Sequence, residues 1–314
     1  MEGVFRTVKF NCDVSDAKFW GFFTICGLLM RLRDLYRSEH GLKPWEPIPR
    51  ETISEWISRK ESLWKELESK EFHHIAIENN IYSPFDVEGI NLILNPAGYV
   101  YGAGYGLYMK PTFFISELLE KSEINDYTVY VSKKELVRDL FSSAAMLQGR
   151  CIFVRLEPLK VLLWERFTEL KTRESPSIKR AFLKHGISTG QLPDQRFEEA
   201  LEEMALRYSE MLLYHEMAEA IEDIPEWTEL LSEIKDRRLE LILRALKDLI
   251  ADTSDYGPIK RALDKRDMDT LRLYMDFMEG YRLVVYPQIV EITNSENINQ
   301  IDRARKECYT GLVD

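Results

Sequence analysis

A chain of 314 residues is long enough to bury a full core, as one large domain or as two coupled ones. Lys+Arg 42 against Asp+Glu 53 leaves a net charge of −11, which argues against a general phosphate-backbone binder and against docking on anionic lipid. Apolar content of 45% and aromatic content of 11% are those of a folded protein rather than a disordered one.

Cys12, Cys26, Cys151 and Cys308 are scattered without a CxxC pair. That pattern fits reduced, mostly buried thiols in a cytoplasmic protein better than a disulfide framework or a thiolate zinc site. The start MEGVFRTVKF lacks the basic and apolar regions of a secretory signal. Ser15 or Asp16 can cap a helix running to about Ser38, ended by His40-Gly41. Within it, Phe19 to Met30 is strongly apolar but about half the length needed to span a bilayer. The run reads as a core helix, with membrane contact the lesser reading. Arg31, Arg33 and Arg37 are the best local basic patch and read as a solvated face.

Three prolines in KPWEPIP then separate a second helix, which starts near Glu51 with Ile53, Trp56, Ile57, Leu63, Trp64 and Leu67 along one stripe. Ser83-Pro84 opens a short helix through Leu94. From Asn95 the texture changes. Tyr99 to Met109 and Asp126 to Val131 read as strands, with a helix over Pro111 to Lys121 between them. Ser132 with Glu135 makes a capping box for a helix to about Leu147. Cys151 to Leu156 is open between a third strand and the start of the helix that covers Pro158 to Leu170. The remainder reads as helices over 176–185, 194–223, 226–252, 258–264, 268–292 and 296–309. The expected fold is mainly α: a multi-helix bundle with a small antiparallel β insertion at about residues 95–156, an N-terminal helical part at 1–94 and a C-terminal helical bundle at 157–314.

The strongest functional hint is MALRYSEMLLYHEMAEAIED, Met204 to Asp223. Between Met211 and Ile221 only His215, Glu216 and Glu219 can carry charge, and a helix apolar nearly all round belongs inside a protein. Buried charge is costly unless paired, hydrogen-bonded or metal-bound. His215 and Glu219 share a helical face at i, i+4, and Glu216 flanks them. The sequence HExxE departs from the HExxH zinc helix in its second ligand, a carboxylate that zinc accepts and that iron or manganese favours. A second pair, His74 and Glu78, repeats the i, i+4 spacing among apolar neighbours. Facing one another, the two pairs would supply four ligands, with Glu216 as general base or a further ligand. Di-iron carboxylate bundles use the reverse order, Glu-x-x-His, so their chemistry is not carried over. Tyr208 and Tyr214 are further candidates as proton donors. The plain alternative is a core histidine held by a carboxylate.

In YVYGAGYGLY, strand alternation puts Tyr99, Tyr101 and Tyr105 on one face and Gly102, Gly104 and Gly106 on the other. The strand–loop–helix context and Lys-Ser/Thr of a phosphate loop are missing, so no nucleotide cofactor is expected. A glycine face does let a helix or ligand approach the backbone closely.

At FHHIAIENNIYSPFDVEGIN, YVYGAGYG and YHEMAE the chain resembles a family of uncharacterised proteins found in sulfate-reducing and related bacteria, over about residues 70–290. The resemblance implies a soluble prokaryotic protein and no chemistry. The functional expectation is a metal-binding helical protein holding a divalent ion (zinc, iron or manganese) on His215, Glu219, His74 and Glu78. It would act as a metal-dependent hydrolase or oxidoreductase on a small molecule, without nucleic acid or a membrane span. The competing expectation is a non-catalytic partner-binding or scaffold protein, or a homo-oligomer, whose His/Glu cluster is structural. A weaker third is a small-molecule binder with the tyrosine–glycine strand as pocket wall.

Overall fold

The computed structural model describes residues 1–172, 175–278, 280–288, 295 and 297–313. They form two compact units, residues 1–144 with 148–158, and residues 145–147 with 159–314.

The first unit opens with α1 (Glu2–Phe19), a 3-10 turn at Trp20–Phe22 and α2 (Ile25–His40). The helix expected to start at Ser15 or Asp16 is therefore two helices. Thr24 caps the second, accepting from the Gly27 amide at 3.2 Å, and Gly41 ends it in the left-handed region at φ 64°. Ser15 and Asp16 lie buried inside α1. Asp16 is a cap of another kind, taking the Leu140 amide on its two oxygens at 3.0 and 3.1 Å. α3 (Arg50–Leu67) follows the proline loop as expected.

The FHHIAIENN segment is a hairpin, β1 (Ile75–Ile77) and β2 (Asn80–Tyr82), with Ile75 paired to Tyr82. α4 (Val87–Leu94) begins behind the cap Asp86, three residues later than Ser83-Pro84 suggested. A five-stranded sheet then runs β3 (Tyr99–Tyr105), β4 (Pro111–Ile124), β5 (Tyr127–Arg138), β6 (Ala145–Gln148) and β7 (Cys151–Arg155), in the spatial order β3-β4-β5-β7-β6. β3, β4 and β5 are antiparallel neighbours, whereas β5 and β7 are parallel.

This sheet corrects the expected fold class. It is the frame of a mixed α/β half, not a small antiparallel insertion in a helical bundle. The helix expected over 111–121 is strand in β4, and the one expected over 132–147 is the end of β5, a connection at 139–144 and the start of β6. Phe113, Phe114, Thr112 and Ile115 favour a pleated surface, and alternation sends Phe113 and Ile115 into the core with α1 and α4. Thr112, Phe114 and Ser116 alternate with them and are also buried, so this part of the strand has no exposed face to mark the period. Ser132 and Glu135 belong to β5, where Glu135 pairs with Arg155, Nε to Oε1 at 2.6 Å, instead of capping a helix.

The expected alternation of β3 holds. Tyr101 is buried on the α4 side, and Asn91 of α4 takes the place of a further strand beside it. Its amide donates to Tyr101 O at 2.8 Å and its oxygen accepts from Tyr101 N at 2.8 Å, which occupies an exposed sheet edge. The glycine side is filled from within the unit. A Cβ on Gly102 would stand 2.1 Å from the Phe114 ring, and one on Gly104 1.9 Å from Gln148.

The second unit contains α5 (Leu156–Glu169) from Leu159 onward, α6 (Pro176–Lys184), α7 (Gln195–Ile221), α8 (Trp227–Glu233), α9 (Arg237–Thr253), α10 (Pro258–Asp264), α11 (Met268–Asp276), α12 (Tyr281–Val285) and α13 (Ile298–Val313). The helix expected over 226–252 breaks where Asp236 turns to cap α9, accepting from the Arg238 amide at 2.8 Å. Residues 279, 289–292 and 296 of the last expected helices lie outside the described residues. Phe167 packs on Phe182 and Phe197, each at 5.2 Å between ring centroids. α9 packs against α7, α12 and α13. Arg305 of α13, 1% exposed, donates to the Thr253 carbonyl and pairs with Asp255 at 2.7 Å, satisfying the carbonyl end of α9. Among the described residues no helix is long and apolar enough to cross a membrane.

Candidate metal centre

α7 is built to carry charge into the second unit. Asp194 caps it, accepting from the Phe197 amide at 2.8 Å. Met204, Ala205, Tyr208, Met211, Met217, Ala218 and Ala220 are buried along it. His215 and Glu219 rise from the same face, with Nε2 of the imidazole 3.6 Å from Oε1 of the carboxylate.

α9 supplies the other wall. Asp248 and Asp252 are four apart and share a face. His215, Glu219 and Asp248 each bring one atom able to ligate an ion within 4.8 Å of the other two. Asp252 is fully buried and lies behind the histidine, its Oδ1 2.7 Å from Nδ1. Tyr274 of α11 donates to the same Oδ1 and stands 3.2 Å from Nδ1. Since Asp252 can only accept there, Nδ1 carries the proton and Nε2 is the nitrogen directed at Glu219.

Cations close the cluster. Lys247 donates to Oε2 of Glu219 at 3.2 Å. Arg282 of α12 reaches Oδ2 of Asp252 at 3.3 Å and Oδ2 of Asp248 at 3.8 Å.

Burial and pairing pull these groups apart in acidity. Burial lowers the His215 pKa, but Asp252 and Glu219 outweigh it and hold the imidazolium well above its ordinary value. Burial raises Glu219, yet His215 and Lys247 more than reverse this, taking it down to about 2. Asp252, desolvated but facing His215 and Arg282, is likewise lowered. Glu216 goes the other way. Burial, reinforced by Glu219 and Asp248 against His215 and Lys247, pushes it up to about 8. Asp248 is raised to about 6, by burial and by Glu219 and Asp252 against Arg282 and His215.

Of the residues singled out from the sequence, the structure joins His215 and Glu219, with Glu216 beside them on α7. His74 and Glu78 belong to the first unit, on the exposed side of the β1–β2 hairpin, with Glu78 at its turn at φ 54°. The segment is extended rather than helical, so the helical i, i+4 argument does not apply to it. Its neighbour His73 stacks on Phe10 at 4.0 Å between ring centroids. Tyr214 reaches Glu210 at 3.4 Å, while Tyr208 is packed 5.1 Å from the Phe277 ring centroid. Asp248, Asp252, Tyr274, Lys247 and Arg282 escaped the sequence reading. The one available signal was KDLIADT, two aspartates at i, i+4 on an amphipathic helix.

Family models for the N-terminal and C-terminal domains of a family of unknown function, DUF6866, match residues 3–155 and 160–312. No curated protein and no solved structure matches the chain.

Proposed function

The chain belongs to the DUF6866 family, and for this member we propose that His215 Nε2, Glu219 and Asp248 hold a divalent metal ion. The observation that carries the reading is that His215, Glu219 and Asp248 each bring one ligand atom within 4.8 Å of the others, with Nδ1 of the histidine already engaged by Asp252 at 2.7 Å. A ligating histidine is ordinarily oriented by a carboxylate on its other nitrogen. One nitrogen and two carboxylates suit zinc, iron or manganese.

Three protein ligands leave coordination positions for water and substrate. A bound ion would supply Lewis acidity toward water, which supports hydrolysis of a small molecule. The role of this chain's residues is then specific. Glu216, held near pKa 8 by burial and its acidic neighbours, would be drawn toward its ionised form by a nearby cation and so serve as general base. Lys247 and Arg282 hold the outer oxygens of Glu219 and Asp248.

The same cations favour a second reading. His215, Lys247 and Arg282 balance Glu219, Asp248 and Asp252 without any metal, which suits a buried ion network fixing α7, α9, α11 and α12 together. The two readings part on a direct test: elemental analysis of untagged protein and thermal shift with zinc, iron and manganese, on wild type and His215→Ala. Metal binding in the wild type that is lost in the variant supports the first reading. A metal-free wild type with no thermal shift supports the second.

A further inference from the structure

The run Phe19 to Met30, which reads as core from its composition, is largely on the surface. Trp20 is 47% exposed, Ile25 80%, Leu29 45% and Met30 60%. The inward side of α2 is the one occupied by Leu32, Leu35 and Tyr36. Ile25, Leu29 and Arg33 follow one another at i, i+4, i+8, so an apolar stripe ends in an exposed arginine. Cys26 and Met30 flank it. Several large apolar side chains exposed together on one short segment are an interaction surface, not scattered surface hydrophobics.

Charge identifies the occupant. Residues 17–33 contain Lys18, Arg31 and Arg33 and no Asp or Glu, in a chain of net −11. Arg31 lies over the Phe23 ring at 4.8 Å and donates to the Leu140 carbonyl at 3.4 Å, and Lys18 is paired with Glu71 at 3.7 Å, so Arg33 is the cation this face exposes. We propose that the Trp20–Arg33 face docks on an anionic lipid bilayer, lying in the interface without crossing it. An exposed tryptophan, aliphatic side chains below and arginines at the rim are the composition of an interfacial helix. The arginine stem runs along apolar surface while its head meets lipid phosphate. A second copy is a poorer fit, because in a two-fold contact the patch meets its own copy and residues 17–33 offer no carboxylate to pair with Arg33. Whole-chain charge conceals the patch, since a lipid surface responds to the charge within about a Debye length of it.

Cys26 gives a local reporter, being exposed while Cys12, Cys151 and Cys308 are buried. The experiment is flotation of unlabelled full-length protein with phosphatidylcholine vesicles and with mixed phosphatidylcholine–phosphatidylserine vesicles. It is paired with emission of an environment-sensitive dye on Cys26. The expected result is flotation and a blue shift with the mixed vesicles only. A roughly tenfold loss of flotation is expected in Ile25→Glu/Met30→Glu, with unchanged circular dichroism, and a smaller loss in Arg33→Glu. Failure of the wild type to float overturns the proposal, as does equal flotation by the double variant. A concentration-dependent dimer that the double variant abolishes, without vesicle binding, assigns the face to a second copy instead and also overturns it.

Discussion

Asp252 Oδ1 lies 2.7 Å from His215 Nδ1, and that contact decides which face of the imidazole is available for chemistry. With Nδ1–H donated backward, Nε2 is left facing Glu219 at 3.6 Å. Asp252→Asn removes the charge that favours this tautomer and leaves Arg282 short of a partner. We expect metal affinity to fall about 10–100-fold and stability to fall by about 3 kcal/mol, read by calorimetric titration and chemical denaturation. Tyr274→Phe, which deletes one hydrogen bond to Asp252, should cost about 1 kcal/mol and leave ligand identity unchanged.

Metal binding should release protons. The raised His215 must lose its proton from Nε2, and Asp248 must be ionised. Affinity is therefore expected to rise with pH and to weaken steeply as pH falls through about 6, where Asp248 protonates. Titrations in buffers of different ionisation enthalpy check both the direction and the proton count. Affinity independent of pH between 5 and 8 would exclude His215 as a ligand.

Without metal, the two glutamates of α7 pull stability in opposite directions. Glu216 is raised from 4.5 to about 8, so its contribution is complete below pH 4.5 and is lost as pH rises through about 8. Glu219 is lowered from 4.5 to about 2, so its contribution is complete above pH 4.5 and is lost as pH falls through about 2. Glu216→Gln keeps the shape and removes the ionisation. It should match the wild type near pH 5 and exceed it by about 1–3 kcal/mol at pH 9. If metal-dependent turnover is found, the same variant should lose it while keeping the metal.

The pairing of His215 with Glu219 was legible because both lie on one helix, where spacing alone places side chains together. Asp248 and Asp252 come from another helix, and no local pattern states that α9 will pack on α7. His74 and Glu78 show the reverse error. Their spacing was read with a helical period, but His73 to Glu78 runs as a strand and turn, with only Ile75 and Ile77 buried. The helix end at Gly41 and the helix starts at Asp194 and Pro258 carried explicit terminal signals and were found. β4 did not, because both of its faces are buried near Phe113 and Phe114 and its period of two was hidden. The exposed apolar run before Met30 misled because composition does not say which side of a helix meets the core, and in α2 that side is taken by Leu32, Leu35 and Tyr36.

In the first unit, Lys110 is 2% exposed and joins Asp16 at 3.1 Å to Asp139 at 3.3 Å. Both aspartates also hold backbone amides, Asp139 that of Phe113 at 3.0 Å and Asp16 that of Leu140. Lys110→Met strands two buried carboxylates and should destabilise by about 3–5 kcal/mol. Gly102→Ala meets the Phe114 ring and should cost about 1–3 kcal/mol. Urea denaturation with a probe in each unit would locate both losses in the first.

The measurement that bears most directly on the metal assignment is calorimetric titration of zinc and manganese into chelator-treated wild type, His215→Ala and Asp248→Asn at one pH above 7. The account predicts one ion per chain for the wild type, none for His215→Ala and at least tenfold weaker binding for Asp248→Asn. Saturable single-site binding that survives both substitutions, or no binding by the wild type, would contradict it.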